Sequence, residues 1–155
     1  MQIIYKELNS SNAKECLDIF IDTYATQTLE DYPELVDGFR TDALKGIADV
    51  CEALEYGVMS GKVSYDGDEI IGFILITNPN YIRKLAVKPE YQKKGIATKL
   101  IDLIEDDNIE LVVHATEKVI PFYQRCGFLS NGEMNRNKYP YLPMKRMKMS
   151  NKEDE

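Results

Sequence analysis

"LAVKPEYQKKGIATKLI", Leu85 to Ile101, decides how the rest of this chain is read. The β-prone residues up to Val87 meet Pro89, which cannot continue a strand ladder, and from Gly95 onward Ile96, Leu100, Leu103 and Ile104 share one helical face. A strand therefore turns through a short loop into a helix at about Gly95 to Glu105. Such a junction leaves the N–H groups of the first helical turn without partners, and an anion satisfies them well. Gly95 has no side chain to block the approach and Ala97 has almost none. Thr98 adds a hydroxyl, and Lys93 and Lys94 add positive charge. The same residues also fit a plain connection with solvated lysines. Neither Gly-x-x-x-x-Gly-Lys-Ser/Thr nor Gly-x-Gly-x-x-Gly occurs, which leaves mononucleotide and dinucleotide loops without support.

Working toward the N-terminus, "YIRKLAVKP" reads as a strand closed by Pro89, and Asn78-Pro79-Asn80 marks the turn before it. "KVSYDGDEIIGFILIT" is two β-rich runs around Asp66-Gly67, a hairpin signal. "MQIIYKEL" opens the chain as a strand, followed by a helix with Ala13, Cys16, Leu17, Phe20, Ile21 and Tyr24 at helical spacing. A second helix spans about Thr41 to Tyr56, with Leu44, Ile47, Ala48, Cys51 and Leu54 on one face and Gly57 near its end. Pro33 to Gly38 is a loop or a broken helix. Toward the C-terminus, "IELVVHA" is a buried strand and "TEKVIPFYQRCGF" a helix ending at Gly127. "LPMKRMKM" is a final strand, with Leu142, Met144, Met147 and Met149 as inward-facing candidates.

The resulting order is β-αα-βββ-α-β-α-ββ, an α/β (mixed α+β) architecture. Strands and helices alternate only in the second half, so the sheet is mixed and not purely parallel. Residues 1–150 are expected to form one domain and 151–155 a disordered acidic tail.

The chain of 155 residues carries a formal charge of −7, so nucleic acid and anionic membranes have no general electrostatic support as partners. Three widely spaced cysteines and no apolar leader before "MQIIYKELNSSNAKE" indicate a reduced, cytoplasmic setting without a disulfide framework. No run approaches the roughly 20 apolar residues a membrane span needs. No metal site is expected.

With Leu85, Val87, Pro89, Gln92, Gly95 and Ala97 in place, the stretch resembles the acyl-coenzyme A signature of the GCN5-related N-acetyltransferases (GNAT). About thirty residues on, "VIPFYQRCGF", Val119 to Phe128, resembles that family's second motif, especially in the arylalkylamine N-acetyltransferases. The resemblance implies the acyl-CoA N-acyltransferase fold, a largely antiparallel sheet with a V-shaped splay between strands 4 and 5. It implies acetyl-CoA as co-substrate. The backbone of Leu85, Ala86 and Val87 would pair with the pantetheine arm. The amides of Gln92, Lys93, Lys94, Gly95, Ile96, Ala97 and Thr98 would hold the pyrophosphate, and Thr116 stands where the family often has a cofactor-contacting asparagine. Tyr123 occupies the general-acid position.

The base is not carried over. Tyr81 stands where several members have a glutamate, and the arylalkylamine enzymes' histidines correspond to Tyr81 and Arg83. His114, the single histidine, is either a satisfied core or rim side chain or a base or water-relay member. Cys126 has no identified base and reads as a small buried hydrophobe. Eight acidic residues (Glu30, Asp31, Glu34, Asp37, Asp42, Asp49, Glu52, Glu55) stand against Arg40 and Lys45, either as a solvated face or as an attraction for a cationic amine. Tyr24, Tyr32 and Tyr56 are candidate apolar walls.

The expected activity is transfer of an acetyl group from acetyl-CoA to a primary amine of a small molecule or peptide, by direct attack in a ternary complex. The alternative is a non-catalytic acyl-CoA-binding regulatory module. Homodimers are frequent in the family, and the residues do not specify an interface, an acceptor or an acyl length.

Overall fold

The structure, a computed structural model, describes residues 2–105, 110–137 and 139–147. Seven strands form one sheet in the order β1-β2-β3-β4-β5-β7-β6. They are β1 (Ile3–Glu7), β2 (Met59–Asp66), β3 (Glu69–Thr77), β4 (Tyr81–Val87), β5 (Glu110–Thr116), β6 (Leu129–Ser130) and β7 (Tyr141–Met147). Every neighbouring pair is antiparallel except β4 and β5. The hairpin at Asp66-Gly67 forms as read, with Gly67 at φ 62° supplying the left-handed residue that the turn demands.

The V-shaped splay is present. β4 and β5 pair only at Tyr81 with Val112 and Ile82 with Val113, after which they separate. A bulge contributes to it. Leu75 opposes Lys84 and Ile76 opposes Ile82, so Arg83 is the extra residue on β4. Because a bulge shifts the side-chain alternation by one, Ile82 and Leu85 pack into the same core although regular alternation puts positions three apart on opposite faces.

One face of the sheet is covered by α4 (Ile96–Glu105) and α5 (Ile120–Arg125), the other by α1 (Ala13–Thr23) and α3 (Ile47–Glu55). The helices differ from the sequence reading in instructive ways. The second expected helix is two: α2 (Val36–Lys45) and α3 break at Gly46, and the Pro33 region is a short 3-10 turn leading into α2. Leu44 is therefore turned to solvent and Phe39 is buried in its place. In α4 Ile101 is fully buried while Leu103 is only partly so. Met147 lies exposed at the end of β7, Met144 is buried, and Met149 and the tail 151–155 lie outside the described residues, as does Ile109.

Arg146 ties the C-terminal half together. It is 12% exposed, pairs with Glu105 of α4, lies 3.7 Å from Asp102, and donates to the Cys126 carbonyl at 2.8 Å. Among the described residues, no helix is long and apolar enough to cross a membrane.

Candidate functional site

The splay opens into a cavity of about 950 Å³, bounded by β4, β5, α5, the loop after β4 and the segment after α1. That segment is a π-helical stretch, Tyr24–Thr28, continuous with α1, and it turns Tyr24, Gln27 and Thr28 toward the cavity. π-Helical turns lie disproportionately at functional sites, because the extra residue re-aims side chains that an α-helix would bury.

The loop end of the cavity has the form of an anion nest. Lys93 and Gly95 both adopt left-handed backbone, φ 63° and 83°, alternating with their neighbours so that successive N–H groups converge. A Cβ at Gly95 would meet no protein atom within 4 Å, so the space beside it is open. Lys93 holds a conformation that a lysine rarely adopts. Gln92 keeps the loop in place: its amide donates to the Val87 carbonyl at 2.9 Å and to Gln27 at 3.0 Å. Tyr91 donates to Asp66 at 2.7 Å and Lys88 pairs with Glu69 at 3.0 Å, so the loop is also clamped to the β2–β3 hairpin. These clamps were not legible in the sequence, because they join residues distant in the chain.

Of the expected donor-site residues, Leu85, Ala86, Val87, Gln92, Lys93, Gly95, Ile96, Ala97, Thr98 and Thr116 all line this one cavity. Lys94 does not; it is exposed on the outer side of the loop. Thr116 ends β5 but its side chain makes no cap bond to the turn that follows. Cys126 is partly buried, and its sulfur sits 3.9 Å from Thr98 Oγ1. Burial pushes the thiol pKa up, which keeps it protonated and poorly nucleophilic.

At the other end, Tyr81 and His114 meet across the splay. The Tyr81 hydroxyl lies 3.2 Å from His114 Nδ1, and the Tyr141 ring stacks on the imidazole with centroids 4.2 Å apart and planes at 10°. His114 is exposed to the cavity, and its pKa is lowered first by desolvation and then by the nearby Arg83 charge. Near pH 7 it is therefore neutral, with one ring nitrogen free to accept a proton. Tyr123 is 5% exposed between Phe122 and Phe128, both in edge contact, and lines the same cavity. Burial drives its pKa well above the usual phenol range, with Cys126 and Tyr81 adding to the effect.

On the acceptor side, the solvated-face alternative fits most of the acidic residues. Of the eight acidic residues only Glu30 lines the cavity, and Lys118 neutralises it at 2.6 Å while also pairing with Asp31 at 3.0 Å. Asp31 lies in the turn beside Glu30, and the other six, on the helical stretch from Pro33 to Glu55, do not line the cavity. Tyr24 is a wall residue, stacked on Phe39 at 4.5 Å and edge-on to Tyr139, but neither Tyr32 nor Tyr56 lines the cavity. The other charged residues that line it are basic: Lys93, Lys118, Arg125 and, side by side on β4, Arg83 and Lys84. Strand alternation alone would have placed them on opposite faces, and the bulge at Arg83 is what brings both to the cavity.

Residues 33–148 match a family described as the acetyltransferase (GNAT) domain. Among solved structures, a GCN5-related N-acetyltransferase of Rhodopseudomonas palustris aligns with TM-score 0.76 and 18% identity over 95% of this chain and 96% of that one. The PaiA N-acetyltransferase of Thermoplasma acidophilum, solved in complex with coenzyme A, aligns with TM-score 0.77 and 16% identity over 95% and 99%. An aminoglycoside 6'-N-acetyltransferase complexed with coenzyme A aligns with TM-score 0.67 and 16% identity over 96% and 98%. At these identities the likeness concerns the fold. No curated protein sequence matches the chain significantly.

Proposed function

This chain belongs to the GNAT acetyltransferase domain family, and we propose that it moves an acetyl group from acetyl-coenzyme A to a primary amine of a small molecule or peptide. One observation carries the reading: a single cavity joins the anion nest at Lys93 and Gly95 to the Tyr81–His114 pair and Tyr123. The residues suit acetyl-CoA, because the open space at Gly95 admits a phosphate against the backbone and the β4 edge beyond Ile82 has no pairing to β5.

Bound there, acetyl-CoA supplies an acyl thioester. The amides from Gln92 to Thr98 hold its pyrophosphate with Lys93, and the edge of Leu85 to Val87 pairs with the peptide-like pantetheine arm, as an added strand would. Thr116 offers one further hydrogen bond.

The amine has to reach the thioester carbonyl unprotonated. With Nδ1–H donated to the Tyr81 hydroxyl oxygen, His114 Nε2 carries a lone pair and takes the proton that the amine sheds, directly or through a water. As the new N–C bond forms and the C–S bond breaks, Tyr123 turns its O–H toward the departing sulfur. A phenol with a raised pKa is a weak acid but a persistent donor, so its contribution is a hydrogen bond that stabilises the departing thiolate as that charge builds, and the coenzyme A sulfur takes its proton from solvent on release.

Release of coenzyme A, followed with a thiol reagent across a panel of amines, tests the proposal. At least one amine should drive release above the rate of hydrolysis. Thermal stabilisation by acetyl-CoA with no release on any amine would overturn it in favour of a binding module.

A further inference from the structure

We propose that the acceptor is a small amine that also carries an anionic group, seated by Arg83 and Lys84 at the widening of the splay; this rests on the acetyltransferase reading above. Both side chains line the cavity, and among the described residues neither has a carboxylate partner. The Arg83 guanidinium is exposed and lies over the Tyr81 ring, 5.8 Å from its centroid. The Lys84 ammonium sits 4.4 Å over the Phe20 ring, inside the cavity wall.

The two adjacent cations are held over aromatic faces; burial lowers the Lys84 pKa and the Arg83 charge lowers it further, so the pair repel each other and the half-buried ammonium is costly to keep dehydrated. An anion between them relieves both costs. The only acidic residue of the lining, Glu30, is engaged by Lys118, so no protein carboxylate among the described residues plays that part. The donor's phosphates belong to the nest at Lys93 and Gly95, on the loop beyond the C-terminal end of β4, which leaves the Arg83–Lys84 pair to the other substrate. Beside the pair, Phe20, Tyr24 and Tyr139 form an aromatic wall that suits an apolar body attached to the anion. The amine end then points toward His114 and Tyr81.

The test compares matched amines in coenzyme A release: L-phenylalanine against 2-phenylethylamine for a carboxylate, and phosphoethanolamine against ethanolamine for a phosphate. The anionic member of at least one pair should have a kcat/KM roughly tenfold higher or more, as expected of charge-assisted hydrogen bonds, and the better pair identifies the anion. Arg83→Gln and Lys84→Met should each lower that ratio toward one, with the KM for acetyl-CoA held within about twofold. Equal ratios in the wild type would overturn the proposal, and so would a weakened acetyl-CoA KM as the main effect of the variants.

If no amine is turned over, the acetyltransferase reading fails on its own, and calorimetry on the coenzyme A complex still decides the anion site. N-acetyl-L-phenylalanine binding more tightly than its carboxamide, with the difference lost in Arg83→Gln, supports the site; equal binding overturns it. Circular dichroism of both variants establishes that they fold.

Discussion

The Tyr81 hydroxyl lies 3.2 Å from His114 Nδ1, across two strands whose pairing ends one residue beyond Tyr81. The pair thus stands at the apex of the splay, where the cavity begins. It gives the chain a neutral imidazole at the edge of the cavity. The tilt of the Tyr81 ring and the stacked Tyr141 ring hold the imidazole plane on both sides.

If His114 receives the amine's proton, kcat/KM should rise with pH through an apparent pKa below the ordinary histidine value of 6.5, because burial and Arg83 both disfavour the imidazolium. Activity is present where His114 is neutral and is lost as pH falls through its pKa. In His114→Gln that acidic limb should disappear and kcat should fall by about 10²-fold. A limb that persists unchanged would remove His114 from the reaction.

Tyr123→Phe should keep the fold, since the ring is packed by Phe122 and Phe128 and the side chain is buried. Its Tm should move by no more than a few degrees. The kcat should drop by about 10²-fold with the KM values little changed, the pattern of an interaction made only as the sulfur departs. Equal turnover by wild type and variant would leave Tyr123 a core residue.

Gly95→Ala places a Cβ in open space but forces alanine to φ 83°, at a cost of roughly 1–2 kcal/mol. Calorimetry should show acetyl-CoA affinity weakened by about tenfold, as the loop relaxes away from the converging amides. Gly61→Ala offers the contrast: its Cβ would run into the Ile74 carbonyl within the sheet, so thermal melting should register the loss and the loop should not.

Arg146→Met should destabilise the protein by about 3 kcal/mol in urea unfolding, because it strands Glu105, which is 21% exposed, and frees the Cys126 carbonyl. As Cys126 closes the helix that carries Tyr123, kcat should also fall.

Lys84→Met should raise Tm at pH 7, since it removes a cation that burial and Arg83 have brought down to a pKa of about 8, against 10.5 in the unfolded chain. Between those values the unfolded chain binds the extra proton, so the wild type gains stability as pH rises from 8 to 10.5. The advantage of the variant should therefore be largest below pH 8 and should shrink by pH 10. A variant less stable than wild type at pH 7 would mean that Lys84 contributes more by packing than its charge costs.

The element order, the hairpin at Asp66-Gly67, the loop at Gly95 and the grouping of Leu85 to Thr98 are local matters, settled by strand periodicity, turn residues and a glycine that must take positive φ. They were therefore legible in the sequence; "PFYQRCGF" marked Tyr123 as a candidate, and the fold puts its side chain in the cavity lining. The break at Gly46 was not, because helix period runs on through it and only packing against different neighbours separates α2 from α3. Nor was the setting of His114, whose partners Tyr81 and Tyr141 come from strands far apart in the chain. The acidic residues after Thr28 fit either a solvated face or an attraction for an amine, and the choice turned on the fold, which leaves most of them outside the cavity and brings Lys118, 88 positions beyond Glu30, to pair with Glu30 and Asp31. Arg83 and Lys84 face the cavity because one bulged residue breaks the alternation of β4. Local sequence determined where the backbone takes the left-handed turns of the loop at Gly95; only the tertiary structure decided which side chains line the cavity, because a pocket is made by long-range contacts that no single segment encodes.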